Sequence, residues 1–320
     1  MLIVIVGFVI LLYLACFTKA ISKNAMRYMI QICLYITMGE MWNLLSGFAG
    51  MTSLGQQLYV GLAGYAMAVM TSTYHLSMGI GLLAGVGVSV IIALLMSLSL
   101  FRMQGMYFAI ATWTVAEAFE IFFLSFKYVG QGSGMTIRIT PYPQIGEICI
   151  LSLTICVISL TTVYLLLRTR IGIGLTAMRD SITAAAASGV NIYRHKLLVY
   201  LIAAVFISLA GGIFFINKGV IYPENGFSIN WTVSMVFIVI IGGSGTVSGP
   251  IVGSVIYVFL EEYLARYPGW SNIILGVITI VVILFLPKGI MGTLQHKFQF
   301  DIFSSKRFSY TKHEGKPAAK

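Results

Sequence analysis

Charge is what this chain lacks most. Charged residues make up 9% of its 320 positions, against roughly 25% in a soluble domain, which excludes an ordinary water-facing fold. The few charges are lopsided, with 20 Lys and Arg against 10 Asp and Glu. These bases fall in short loops and a tail and form no continuous stripe, so they do not point to nucleic acid. Positive loops beside a lipid bilayer account for them better. Cysteine is scarce as well. Cys16, Cys33, Cys149 and Cys156 sit in apolar runs without CxxC spacing and read as small buried hydrophobes, neither a metal set nor a disulfide framework.

Catalytic signatures are also missing. No His-Glu-x-x-His occurs, and His75, His195, His296 and His313 are scattered over loops and tail. Gly243-Ser244-Gly245 and Gly132-Ser133-Gly134 are glycine turns holding a serine, and Gly315-Lys316 runs into Pro317 where a P-loop needs Ser or Thr. The expectation is a chain that is no enzyme and binds no cofactor itself. Any ATP it depends on is hydrolysed by partner subunits.

What the chain has is hydrophobic length. Apolar residues reach 58%, in runs over 2–17, 28–45, 56–74, 78–100, 106–126, 147–167, 197–216, 231–241, 251–264 and 272–286. Most approach the ~20 residues that a bilayer-crossing helix needs. An all-α polytopic membrane protein of about 8–10 transmembrane helices follows, with a transmembrane domain over 1–293 and a basic tail over 294–320. The first run lacks a basic leader and a small-residue cleavage site, so it reads as a span and not as a signal peptide.

Two glycine-broken places interrupt the apolar pattern. One is SGFAGMTSLG with Gly47, Gly50, Ser53 and Gly55, and the other is GGSGTVSG with Gly243, Gly245, Ser248 and Gly249. The run 231–241 beside the second is too short to cross alone. Irregular backbone at membrane depth is tolerated where protein or water covers it, so Asn43, Gly47, Gly50, Ser53, Gly55, Gly243, Gly245 and Ser248 form the candidate substrate path. Both places contain Gly-x-x-Ser after a small residue, through either a worn internal repeat or coincidence.

The loop 168–196 is the most basic inter-span segment, carrying Arg168, Arg170, Arg179, Arg194 and Lys196 against Asp180. An excess of Lys and Arg marks a cytoplasmic loop. Asp180 or Ser181 can cap a short helix, the alanines 184–187 favour it, and Gly189 can end it. Such a helix outside the bilayer is a docking surface. Counting spans outward places Lys218, Glu224 and Arg266 outside and the tail inside, but Lys19, Lys23 and Arg27 then fall outside against the rule. Either a run between Tyr28 and Leu100 is re-entrant or that cluster is an exception.

Acids within hydrocarbon are costly and carry a reason. Glu40 lies in the second run, and Glu117 and Glu120 share a face of the fifth. They either bind an amine or relay protons, or they are paired structurally across helices. Glu261 and Glu262, near a span end, read as solvated. Tyr107, Trp113, Tyr128, Tyr142 and Trp270 suit interfacial belts, and Trp42, beside the first glycine break, reads as core packing or a pocket wall.

The stretch Asn43 to Gly55, NLLSGFAGMTSLG, continuing through Gly61-Leu62-Ala63-Gly64-Tyr65, resembles the signature of the permease subunits of branched-chain amino-acid ABC importers, the LivM type in particular. Further stretches agree in order: Arg102 to Thr112; Thr169-Arg170-Ile171-Gly172 with Met178-Arg179-Asp180-Ser181, Ala184-Ala185 and Gly189-Val190-Asn191; Gly242 to Pro250; and Leu286-Pro287-Lys288-Gly289-Ile290. The resemblance implies a multi-pass permease of a prokaryotic cell membrane that imports Leu, Ile or Val. It would work with a second permease subunit or a second copy of itself, two cytoplasmic ATPases and an extracellular binding protein. The ATPase-coupling residues would be Arg179, Asp180, Ser181, Thr183, Ala184, Ala185, Gly189 and Asn191. Two departures stand out: Thr183 replaces the usual Glu of the coupling motif, and the loop Gly130 to Thr136 only loosely follows the family's. Import of urea or a short amide, or proton-coupled transport through Glu40, Glu117 or Glu120, are the alternative functions.

Overall fold

The structure is a computed structural model describing residues 22–266, 270–286 and 289–298. The first apolar run with Cys16, Lys19, Lys288 and the tail beyond 298 lie outside the described residues.

Local signals in the sequence start and stop the helices. Helix α1 (Lys23–Asn43) begins where the Ser22 side chain accepts a hydrogen bond from the Ala25 amide, and it ends in a π-helical turn over Leu44–Phe48. An irregular stretch leads to α2 (Gln57–Ala68), again closed by a π-helical turn, Val69–Thr73. Long helices α3 (Met78–Leu100) and α4 (Met106–Ser125) follow. Strand β1 (Met135–Thr136) precedes α5 (Ile145–Arg168), which starts on a reciprocal cap between Gln144 and Glu147. The basic loop contains two helices, α6 (Arg170–Asp180) and α7 (Ile182–Ala187). After α8 (Ile192–Lys218), strand β2 (Val220–Ile221) pairs antiparallel with β1, Met135 opposite Ile221. A single turn, α9 (Pro223–Gly226), leads to α10 (Asn230–Gly242), α11 (Gly249–Leu264), α12 (Ser271–Phe285) and α13 (Gly289–Phe298).

Among the described residues five helical segments are long and apolar enough to cross a membrane, namely those over 78–100, 106–125, 145–168, 192–218 and 223–242. With almost no sheet, the chain is an all-α polytopic membrane protein, as the runs predict. Contacts give the direction of each pass. Arg27 on α1 borders a cavity with Tyr142 and Asn217 at one end of the bundle, whereas Asn43 at the other end of α1 meets Gly245. Helix α2 returns, since Ser72 after it bonds Thr136 of β1. Helix α3 comes back to Tyr193 at the start of α8, through Ser97 at 3.4 Å. Helix α4 brings Phe123 against Phe227, ring centroids 4.9 Å apart. The short α10 and α11 form a hairpin whose turn carries the second glycine break.

Every run between Tyr28 and Leu100 therefore passes through the bundle. Lys23 and Arg27 lie at the end of the bundle opposite the loop 168–196.

The core lies where α1, α2, α8, α10 and α11 meet, with Ile30, Met38, Met41, Tyr59, Ile207 and Met235 fully buried. Helices α3 and α4 form a flank instead. Leu83, Ile91, Leu95, Leu98, Tyr107 and Ile121 are exposed there, as suits contact with lipid or another hydrophobic chain.

Candidate functional site

The two glycine breaks are some 200 residues apart in sequence and meet in the fold, so the site begins with how they are joined. Asn43, the last residue of α1, is fully buried. Its side-chain oxygen accepts from the Gly245 amide at 2.8 Å, and its amide nitrogen donates to the Thr246 carbonyl at 2.9 Å. An Asn side chain presents a donor and an acceptor side by side, which lets it pair with a stretch of backbone. Gly47 allows the approach. A Cβ there would stand 2.3 Å from the Asn43 oxygen and 2.6 Å from the Gly245 nitrogen, closer than any side chain tolerates.

Arg179 of α6 closes this junction from the basic loop. Its guanidinium donates to the Gly47 carbonyl at 3.2 Å, and its backbone lies against Gly50, where a Cβ would come within 3.0 Å of the Arg179 Cα. Asp180 holds the same guanidinium through one oxygen, at 3.0 and 3.1 Å. That pair is solvent-facing and contributes on the order of 0–1 kcal/mol; its effect is to orient Arg179.

The remaining path residues pack against neighbouring elements. Ser53 is buried and its carbonyl accepts from the Trp42 indole at 2.9 Å, which settles Trp42 as a packing residue. Gly55 passes so close to Thr112 of α4 that a Cβ would meet its carbonyl at 2.1 Å. Gly243 and the buried Ser248 stand in the α10–α11 turn, which Thr246 stitches by donating to the Gly243 carbonyl at 2.8 Å and accepting from the Gly249 amide at 3.1 Å. Of the eight predicted path residues, Gly50 is exposed, Gly245 is half-buried and the other six are buried, and none of them borders either of the two cavities at the far end.

The loop itself is stiffened at each joint. Thr169 caps α6, Ser181 caps α7 by accepting from the Ala184 amide at 3.3 Å, and Asn191 caps α8 by accepting from the Arg194 amide at 3.0 Å. At its other end α7 closes with Val190 donating to the Ala185 carbonyl and Gly189 to that of Ala186, at 3.1 and 3.0 Å. Gly189 takes φ +84, the left-handed conformation this ending requires. Thr183, Ala184, Ala186, Ala187 and Ser188 are exposed, forming a small uncharged face. Ala185 is 2% exposed, so it anchors α7 and does not belong to that face. Arg179 likewise turns towards the junction. The separate helix α6, between cap Thr169 and Asp180, was not anticipated from sequence.

The acids separate by position. Glu40 is wholly buried one turn before Asn43. Glu117 and Glu120 lie half-buried on α4, where the Trp113 indole donates to Glu117 at 2.8 Å. Glu262 is exposed, but Glu261 is not the solvated acid expected: it stands half-buried against Tyr35, whose hydroxyl donates to it at 3.4 Å. Outside the spans, burial pushes the Tyr142 phenol above its ordinary value. Its hydroxyl donates to the Ile216 carbonyl and ties the 126–144 connection to α8.

Comparison with known proteins agrees with this architecture. A family profile described as branched-chain amino acid transport system / permease component matches residues 24–284. The high-affinity branched-chain amino acid transport system permease proteins LivM of Salmonella typhimurium and Escherichia coli are each 23% identical over 302 residues, covering 85% of this chain and 71% of theirs. The galactose/methyl galactoside import permease protein MglC of Haemophilus influenzae is 30% identical over 126 residues, 36% of this chain and 37% of its own. No solved structure matches. The match over residues 24–284, on a multi-pass helical bundle whose glycine breaks meet at Asn43, establishes that the chain belongs to the permease-component family of branched-chain amino acid transport systems.

Proposed function

We propose that this chain is a membrane-spanning subunit of an ATP-driven importer that moves leucine, isoleucine and valine across a prokaryotic cell membrane. In this reading the loop 168–196 is cytoplasmic and α7 seats on an ATPase partner. A second permease subunit, related or identical, completes the path. An extracellular binding protein delivers solute to the opposite end.

The observation that carries the reading is the hydrogen bond from Arg179 to the Gly47 carbonyl. It links a stiff, docking-competent loop directly to the plug formed by both glycine breaks. A push on α7 is transmitted to α6, and α6 holds the plug through Arg179. Motion of packed elements between two discrete arrangements is how such a lever acts. The LivM relatives supply the substrate class, and the apolar, Met-rich core suits aliphatic solutes.

The test is reconstitution with the ATPase and binding-protein partners in proteoliposomes. Leucine, isoleucine and valine should accumulate when ATP is enclosed, and a protonophore should not stop them. Accumulation of urea or galactose in their place would overturn the substrate assignment. Uptake that needs a proton gradient and ignores ATP would overturn the mechanism.

A further inference from the structure

At the end of the bundle opposite the basic loop, α1, α8, α10 and α11 and the segment 220–228 line a half-open cavity of about 350 Å³, within the usual range for small-molecule sites. Its apolar wall is aromatic. Tyr35 meets Tyr257 edge-on and Trp231 at a tilt, with centroids 4.9 and 6.2 Å away, and Phe214 meets Trp231 edge-on at 4.7 Å. Its two charged groups are of opposite sign. Glu261 reaches it from α11 and Lys218 from the end of α8.

These two charges border one cavity without forming an ion pair with each other among the described residues. Glu261 accepts from the Tyr35 hydroxyl at 3.4 Å, and Lys218 lies 5.5 Å from the Phe214 ring centroid. A carboxylate can accept several hydrogen bonds and an ammonium can donate three, so both keep capacity to spare. A zwitterion with an aliphatic side chain complements this layout. We infer that the cavity is an entry site for a free α-amino acid, whose ammonium pairs with Glu261, whose carboxylate pairs with Lys218, and whose side chain lies on the faces of Trp231, Tyr35 and Phe214. A neutral sugar or urea has no use for two separated charges. The neighbouring cavity, lined by Arg27 and sharing Lys218, keeps the carboxylate end positive. The assignment rests on the amino-acid reading above and adds where in this chain the solute is first held.

The experiment is ligand-observed NMR on the assembled complex without ATP or binding protein, using three probes: leucine, leucinamide, which lacks the carboxylate, and 4-methylpentanoate, which lacks the ammonium. Glu261→Gln and Lys218→Met should each weaken leucine about ten-fold or more, the size of one charge-assisted hydrogen bond. Leucinamide should respond to Glu261→Gln alone, and 4-methylpentanoate to Lys218→Met alone. Leucine binding unchanged by both variants, or lost together with both analogues in either variant, overturns the site, as does a complex that imports leucine yet gives no leucine signal. A complex that imports galactose or urea and not leucine overturns the transport reading itself.

Discussion

The Arg179 guanidinium meets the Gly47 carbonyl at 3.2 Å across 132 residues of sequence, and at that contact the basic loop touches the membrane-embedded part of the chain. Gly245 stands beside it, a Cβ there lying 3.5 Å from the same guanidinium nitrogen. One side chain thus stands against both glycine breaks, and Asn43 joins them through its bonds to Gly245 and Thr246. The consequences can be tested one bond at a time.

Asn43→Ala leaves the Gly245 amide and the Thr246 carbonyl without their buried partner. Each orphaned group costs about 1–3 kcal/mol, so thermal unfolding in detergent should show a clear drop in Tm. Thr52→Ala, at an exposed position in the same stretch, should change it little. Equal melting of the two variants would remove Asn43 from the junction.

Gly47→Ala places a methyl where 2.3 and 2.6 Å separations leave no room, and Ser53→Leu overfills a buried position. Both should insert and assemble but lose leucine uptake, because the plug no longer closes on its native contacts. Uptake at the wild-type rate by correctly assembled Gly47→Ala complexes would mean that the junction does not gate the path.

Gly189→Pro cannot adopt φ +84 and also removes the amide that bonds Ala186, so α7 loses its ending. Thr183→Trp leaves α7 intact and changes only its exposed face. Both should reduce ATPase stimulation by loaded binding protein in reconstituted complexes while surface expression stays normal. If Thr183→Trp hydrolyses and transports as wild type, α7 does not dock there.

Glu117→Gln and Glu120→Gln remove the half-buried acids of α4 and should leave ATP-driven uptake unchanged. Loss of uptake in either, with the complex still assembled, would favour proton coupling.

The membrane class, the helix runs and the position of the short helix α7 were legible because each rests on local signals: apolar length, a Ser181 cap, a left-handed Gly189. The two glycine breaks were legible as special segments, but their meeting was not, since pairing between Asn43 and Gly245 is a tertiary event with no local signature. The same holds for Arg179, whose charge pointed to an external partner and whose side chain turns inward. Helix α6 was missed because its two glycines, Gly172 and Gly174, read as loop; they are small so that α6 can pack on Leu167 and His195. The far-end cavity was hidden for a related reason. Lys218 and Glu261 each sit at the end of an apolar run, where a solvated charge is the ordinary outcome, and only the fold brings them to one space.

The most direct test of the account is Arg179→Met in the complete reconstituted transporter, measuring ATP hydrolysis and leucine uptake together. Methionine keeps much of the side chain's bulk and removes the donor to Gly47. The account predicts that basal hydrolysis persists while leucine transported per ATP falls about ten-fold, in line with the ~1.5–3 kcal/mol of a hydrogen bond to a charged group. Hydrolysis and transport that remain coupled at the wild-type ratio would contradict it.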